Sequence, residues 1–221
     1  MDKKLLATNL ASVLEDISTY PTHMVAITKF VDAETTRELY NLGVRDMGEN
    51  RSDKFLAKLE ALNDIASEIT WHFVGHLQSR QVKLIINQID YLHSLDRLSL
   101  AKEIQKRADR TVKCFLQVNV SGEETKGGFD PDRVIEAVEA IKDYNKIEIV
   151  GLMTMAPIDA SETELHHYFA ELKELQVLIL GKNYPWAPCG ELSMGMSRDY
   201  RIALEEGATY IRVGSALYDQ K

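Results

Sequence analysis

Short apolar runs recur along the chain, each followed by a longer stretch whose apolar positions return every three or four residues. The runs are MVAIT (24–28), VRDMG (44–48), ITWHFVG (69–75), DYLHSL (90–95), VKCFLQVNV (112–120), KIEIVGLMTM (146–155), CGELSMG (189–195) and ATYIRVG (208–214). Most are continuous rather than alternating, as in strands buried on both faces. Ahead of the first run, Leu5, Leu6, Leu10, Val13, Leu14 and Ile17 share one helical stripe, which predicts an amphipathic helix. Boundary residues punctuate the stretches between runs. Asp32 can cap a helix that Gly43 ends, and Asp130 before Pro131 reads as a helix start. Ser161 with Glu164 forms a capping box. Ser197 can cap the helix closed by Gly207.

Strand then helix, eight times over, predicts parallel strands with right-handed crossovers. The chain has 221 residues, so each unit takes about 28, the size of one compact strand–helix repeat. The expectation is a single-domain α/β fold over residues 1–221: a closed (β/α)8 TIM barrel with an extra N-terminal helix. An open doubly wound sheet is the alternative, disfavoured because no GxGxxG follows the first strand. No Pro/Gly/Ser-rich linker divides the chain.

Charge narrows the partners. The formal net charge is -8, whereas a general nucleic-acid binder is usually basic. No apolar run approaches the length of a membrane span. The N-terminal segment has lysines before apolar residues, but Asn9, Glu15 and Asp16 interrupt any leader pattern. Two cysteines, Cys114 and Cys189, lie far apart without a CxxC. A reducing cytoplasm is therefore expected.

In such a barrel the reacting groups stand at the C-terminal ends of strands. That position selects Lys29, Glu49, Asn50, the Gly75 region, Ser94, Asn119, Met153, residues 193–197, Arg212, Gly214 and Ser215. Metal hydrolysis lacks an HxH or HExxH, and His166 and His167 point about 100° apart on a helix. His72, beside Trp71, reads as a packed core histidine. No GxSxG elbow or P-loop occurs. A phosphate site has better support: MGMSRD opens a helix and IRVGS closes the last strand, offering free N–H groups, hydroxyls and close backbone approach at Gly214. Strand 1 should pair with strand 8, which would set Lys29 beside Arg212 and lower the basicity of its amine. An amine, an arginine and a phosphate cradle together suit pyridoxal 5'-phosphate (PLP), held as a Schiff base.

Several segments carry a resemblance to a known family: AITK, GEN at 48–50, WHFVGHLQS at 71–79, LQVNVSGEETKGGF at 116–129, GLMTM at 151–155, LSMGMSRD at 192–199 and IRVGSALY at 211–218. In this order they resemble the pyridoxal phosphate homeostasis proteins, which look like the PLP-binding barrel domain of alanine racemase without its second domain. The resemblance implies PLP bound covalently at Lys29, with Asn50 lining the pocket. It implies phosphate held by Ser197, Gly214 and Ser215, and Arg212 donating to the pyridine nitrogen. Residues 75–81 read GHLQSRQ rather than the family's usual GPLQSNK, so His76, Arg80 and Gln81 depart from it.

The resemblance further implies a cytoplasmic PLP carrier, buffering the cofactor and delivering it to PLP-requiring apoenzymes, with no nucleic-acid or membrane partner and a monomeric state. The alternative is an amino-acid racemase. That reaction needs acid–base groups on both faces of the substrate carbon, and the alanine racemase second domain that supplies one of them is not expected here. A barrel binding another phosphorylated metabolite is a third reading.

Overall fold

The computed structural model describes residues 2–123 and 126–219. Eight parallel strands close in sequence order, β8 returning to β1. They are β1 His23–Ile27, β2 Asp46–Glu49, β3 Thr70–Phe73, β4 Tyr91–Leu95, β5 Val112–Gln117, β6 Ile147–Met153, β7 Glu191–Met196 and β8 Tyr210–Val213. Helix α1 (Lys3–Ile17) precedes the barrel. The others follow their strands: α2 Ala33–Asn41, α3 Ser52–Ala61, α4 Val82–Ile85, α5 Leu98–Arg107, α6 Val134–Ala140, α7 Glu162–Leu180, α8 Tyr200–Glu205 and α9 Ser215–Tyr218. Every strand predicted from the sequence is present. The barrel with an extra N-terminal helix stands, and the open sheet does not.

Strand pleating divides the apolar residues into two layers. Met24, Ala26, Met47, Trp71, Phe73, Leu192 and Met194 face outward and pack under the helices. Val25, Ile27, Phe115, Val150, Met153 and Tyr210 fill the barrel interior. Both faces are buried, which is why the runs read as continuous apolar sequence. Helix α1 docks on α9, where buried Asn9 donates to the carbonyls of Leu217 (3.2 Å) and Asp219 (3.1 Å).

Local signals set several helix ends. Asp32 accepts from the Thr35 N–H, and Ser161 and Glu164 form the reciprocal capping box. Gly43 and Gly207 take φ of +93° and +91°, conformations that glycine adopts without a Cβ clash. Two expected caps differ. Asp130 makes no side-chain cap, and Pro131–Arg133 form a single 3-10 turn before α6. Ser197 does not cap α8. Asp199 accepts from the Met196 N–H at 2.6 Å, closing that turn by itself and freeing the Ser197 hydroxyl for β8.

Candidate functional site

The C-terminal mouth is built around the ends of β1, β2, β7 and β8. The interior-facing parity of β1 runs Val25, Ile27 and, beyond the strand, Lys29; that of β2 runs Asp46, Gly48 and then Asn50. On β8, Tyr210 and Arg212 face inward and Gly214 follows. Parity alone therefore aims Lys29, Asn50 and Arg212 at the same end of one interior.

The end of β1 is clamped through its main chain. The Tyr218 hydroxyl donates to the Ile27 carbonyl at 3.0 Å. The Lys58 ammonium donates to the Thr28 carbonyl at 2.5 Å. Lys58 also ion-pairs with buried Glu49, whose Oε1 accepts the Thr28 hydroxyl at 2.7 Å. The second oxygen, Glu49 Oε2, is buried with no hydrogen-bond partner among the described residues. Burial pulls the Lys58 ammonium below its ordinary value, and the bond to Glu49 opposes that fall. Burial, and then the charge of Glu49, push the Tyr218 phenol up.

Lys29 itself is exposed in the turn after β1, its ammonium 4.6 Å from the centre of the 73%-exposed Phe30 ring. Among the described residues it makes no hydrogen bond or ion pair. The expected contact with Arg212 does not form. Strand pairing sets Val25, not Lys29, opposite Arg212, and the guanidinium turns inward. It donates to Ser193 Oγ at 2.5 Å and to the Thr154 carbonyl at 2.9 Å. Arg212 is buried, and no carboxylate among the described residues lies within ion-pair distance of it. Desolvation pulls it down to about 10, nearby Asp199 opposing, so it stays protonated at neutral pH.

Residues 193–197 and 212–215 do come together. Ser193 pairs with Tyr210 but Met196 pairs with Arg212, so β7 carries one extra residue there. Gly195 makes this bulge possible. Its φ is +91°, and a Cβ would lie 2.6 Å from Ala203 Cβ and 2.9 Å from Tyr200 Cα. The bulge delivers Ser197 to β8, where its Oγ accepts from the N–H groups of Gly214 (3.0 Å) and Ala216 (3.2 Å). Gly214 packs on Ile27, where a Cβ would lie 3.5 Å from Ile27 Cβ, and Ser215 is exposed beside it.

Asn50 sits under Gly75 so closely that a Cβ on Gly75 would lie 2.0 Å from the Asn50 carbonyl oxygen. Ser94 holds the far side of Gly75 through its carbonyl at 2.6 Å. The departures at His76, Arg80 and Gln81 lie beyond, with exposed His76 on Asp96 (3.0 Å) and Arg80 on Gln78 (2.7 Å). Within residues 116–129, Glu124 and Thr125 lie outside the described residues.

Sequence reasoning missed His93, which bridges His72 and Ser193 in the interior. The signal was in β4: Tyr91 and His93 alternate with Leu92 and Ser94, so two polar rings share the interior parity. A cavity of about 430 Å³ opens instead at the other end of the barrel, lined by residues such as Glu68, Asp90, Tyr91, Arg110 and Lys113. None of the predicted site residues lines it.

The mouth thus gathers the Ser197 and Ser215 hydroxyls, the exposed Lys29 amine and the buried Arg212 guanidinium on one (β/α)8 barrel. The fold is that of the alanine racemase N-terminal domain class, whose family model matches residues 1–221. A pyridoxal phosphate homeostasis protein of Aquifex aeolicus is 40% identical over 201 residues, covering 90% of this chain and 86% of its own. PipY of Synechococcus elongatus, solved with PLP bound, matches at a TM-score of 0.89 and 32% identity over 97% of this chain and 100% of its own. Alanine racemase of Corynebacterium glutamicum shares the fold, with a TM-score of 0.79 at 13% identity over 99% of this chain and 62% of its own. The chain belongs to the pyridoxal phosphate homeostasis protein family.

Proposed function

We propose that this chain binds PLP reversibly at the C-terminal mouth, covalently through the Lys29 amine, and acts as a cytoplasmic monomer that buffers PLP and hands it on to apoenzymes. One observation carries the reading: a buried, permanently charged guanidinium with no carboxylate within ion-pair distance among the described residues. Its acceptors among the described residues, Ser193 Oγ and the Thr154 carbonyl, are neutral, and burying a cation without an anionic partner is costly. The other groups at the mouth are mainly donors as well, which suits a ligand with an anionic end and an acceptor nitrogen. PipY, its relative of nearly identical extent, was solved with PLP bound.

Bound PLP supplies an aldehyde that condenses with amines and a ring that withdraws electrons. Ser197, Gly214 and Ser215 hold the phosphate, and Asn50 lines the pocket. Arg212 directs an N–H at the pyridine nitrogen. Because the guanidinium keeps its proton, it leaves that nitrogen unprotonated and weakens the ring as an electron sink. This disfavours transaminase chemistry.

Reduction with borohydride followed by peptide mapping tests the site. The label should fall on the peptide containing Lys29, and Lys29→Ala should not be labelled there. Protein that cannot be reconstituted with PLP at all contradicts the proposal. Incubating the loaded protein with L-alanine and following optical rotation tests the carrier role against the racemase. Sustained turnover above free PLP would assign a racemase instead.

A further inference from the structure

Four interior contacts join five side chains into one file running from Arg212 to the opposite rim of the barrel. Arg212 Nη1 lies 2.5 Å from Ser193 Oγ. Ser193 Oγ lies 2.7 Å from His93 Nδ1, and His93 Nε2 lies 2.8 Å from His72 Nδ1. His72 Nε2 lies 3.0 Å from Asp46 Oδ1. The first four residues are buried. The Asp46 side chain, at the N-terminal end of β2, is 28% exposed. The mouth lies at the C-terminal end.

Hydrogen-bond bookkeeping gives the file a single direction. An ionised carboxylate only accepts, so the His72 Nε2 carries a hydrogen. Burial holds both imidazoles neutral, helped at His93 by the charge of Arg212. Neutral His72 then has a lone pair at Nδ1, which accepts from His93 Nε2–H. His93 Nδ1 is in turn a lone pair and accepts the Ser193 hydroxyl. Ser193 Oγ accepts from Arg212, which only donates. Every donor points from the mouth toward Asp46. Reversal would require arginine to accept or the carboxylate to donate. Neither ring turns freely, since His72 stacks on Tyr91 at 4.7 Å and 5°, and His93 on Phe115 at 4.4 Å and 26°.

We propose that Ser193, His93, His72 and Asp46 are positioning residues for Arg212: the one-way file fixes the rotation of its guanidinium and so the aim of the N–H donors left for a ligand at the mouth. The ligand part rests on the PLP reading above; the file itself does not. Asp46, at the opposite end of the barrel, then controls a group it never touches.

Nitrogen-15 NMR of the unloaded full chain tests the file without PLP. Wild type should show His72 and His93 as neutral Nε2–H tautomers at about pH 8, with the two Arg212 Nη positions resolved because rotation is slow. Asp46→Ala should give mixed His72 tautomers and averaged Arg212 signals. Asp46→Asn, whose amide oxygen still accepts, should restore both. Thermal melts of each variant identify any that fail to fold, and Ser193→Ala, which interrupts the file beside Arg212, serves as the second variant. PLP affinity read in parallel should fall about threefold to tenfold in Asp46→Ala, the loss of one hydrogen bond's worth of positioning, and recover in Asp46→Asn. An Nδ1–H tautomer or an imidazolium at either histidine in wild type, or unchanged Arg212 signals in folded Asp46→Ala, overturns the proposal. The expected NMR pattern in protein that never binds PLP would uphold the file and refute the PLP reading alone.

Discussion

Removing the Lys58 amine should damage the fold and the mouth together. In Lys58→Met the stem keeps its packing, but Glu49 loses its only cationic partner among the described contacts. The side chains are 7% and 0% exposed, so water cannot replace the lost bond. Breaking a buried pair by removing one partner costs about 3–5 kcal/mol. The Thr28 hydroxyl remains on Glu49 Oε1, which argues for the lower half of that range, since one bond to a charged group contributes about 1.5–3 kcal/mol. A chain of this length loses roughly 2–4 °C of melting temperature per kcal/mol. The midpoint should therefore drop by about 6–16 °C, with PLP binding weakened because the Thr28 carbonyl is released beside Lys29. Urea unfolding and thermal melts followed by circular dichroism measure both quantities. The decisive comparison is Lys58→Met/Glu49→Leu, which removes both charges. Replacing both partners by apolar groups should recover most of the loss. The reasoning is refuted if the double variant is no more stable than the single one, or if Lys58→Met costs less than about 1 kcal/mol.

Three further perturbations probe other parts of the structure. His72 and His93 are held below the ordinary histidine value of 6.5, by burial first; at His72 Asp46 and then Asp90 oppose the fall and His23 adds to it, and at His93 the neighbouring His72 and Arg212 add to it. Their folded values are depressed, so their stability contribution is present above about 6.5 and is lost as pH falls below it. Unfolding between pH 7 and pH 5 should take up protons, each histidine giving a slope of up to about 1.4 kcal/mol per pH unit, and a flat profile in denaturant titrations would contradict this. Gly75→Ala should cost about 1–3 kcal/mol and weaken PLP binding, because its Cβ would lie 2.0 Å from the Asn50 carbonyl oxygen; a melt and a titration equal to wild type would show that the segment yields freely. Ser161→Ala removes the capping box of α7 and should cost about 1 kcal/mol without changing PLP affinity, so a binding defect there would tie α7 to the mouth.

The strand count, the closure and the strand-end positions of Lys29, Asn50 and Arg212 were legible because a parallel barrel buries both faces of each strand and repeats at a constant length. Contacts set by side-chain direction were not. Pairing of β1 with β8 suggested Lys29 beside Arg212, but the register matches Arg212 with Val25. The two residues therefore stand at different heights, and Arg212 finds its acceptors on β7 and after β6. Ser197 looked like a helix cap because its sequence position suits one. The one-residue bulge at Gly195 instead presents its hydroxyl to the Gly214 and Ala216 N–H groups, and Asp199 closes the turn. His93 was hidden for the opposite reason: in a strand buried on both faces, a polar ring at interior parity leaves no break in the apolar run.

The mouth separates what must be fixed from what must move. The end of β1 is held at two consecutive carbonyls, Ile27 by Tyr218 and Thr28 by Lys58, and Arg212 is held by Ser193 and Thr154. Lys29 is the exception, exposed and without a hydrogen bond among the described residues. In the proposed role, an amine that condenses with an aldehyde and releases it again gains from that freedom. Rigid main chain beneath an exposed amine therefore suits the proposed loading and unloading of a cofactor.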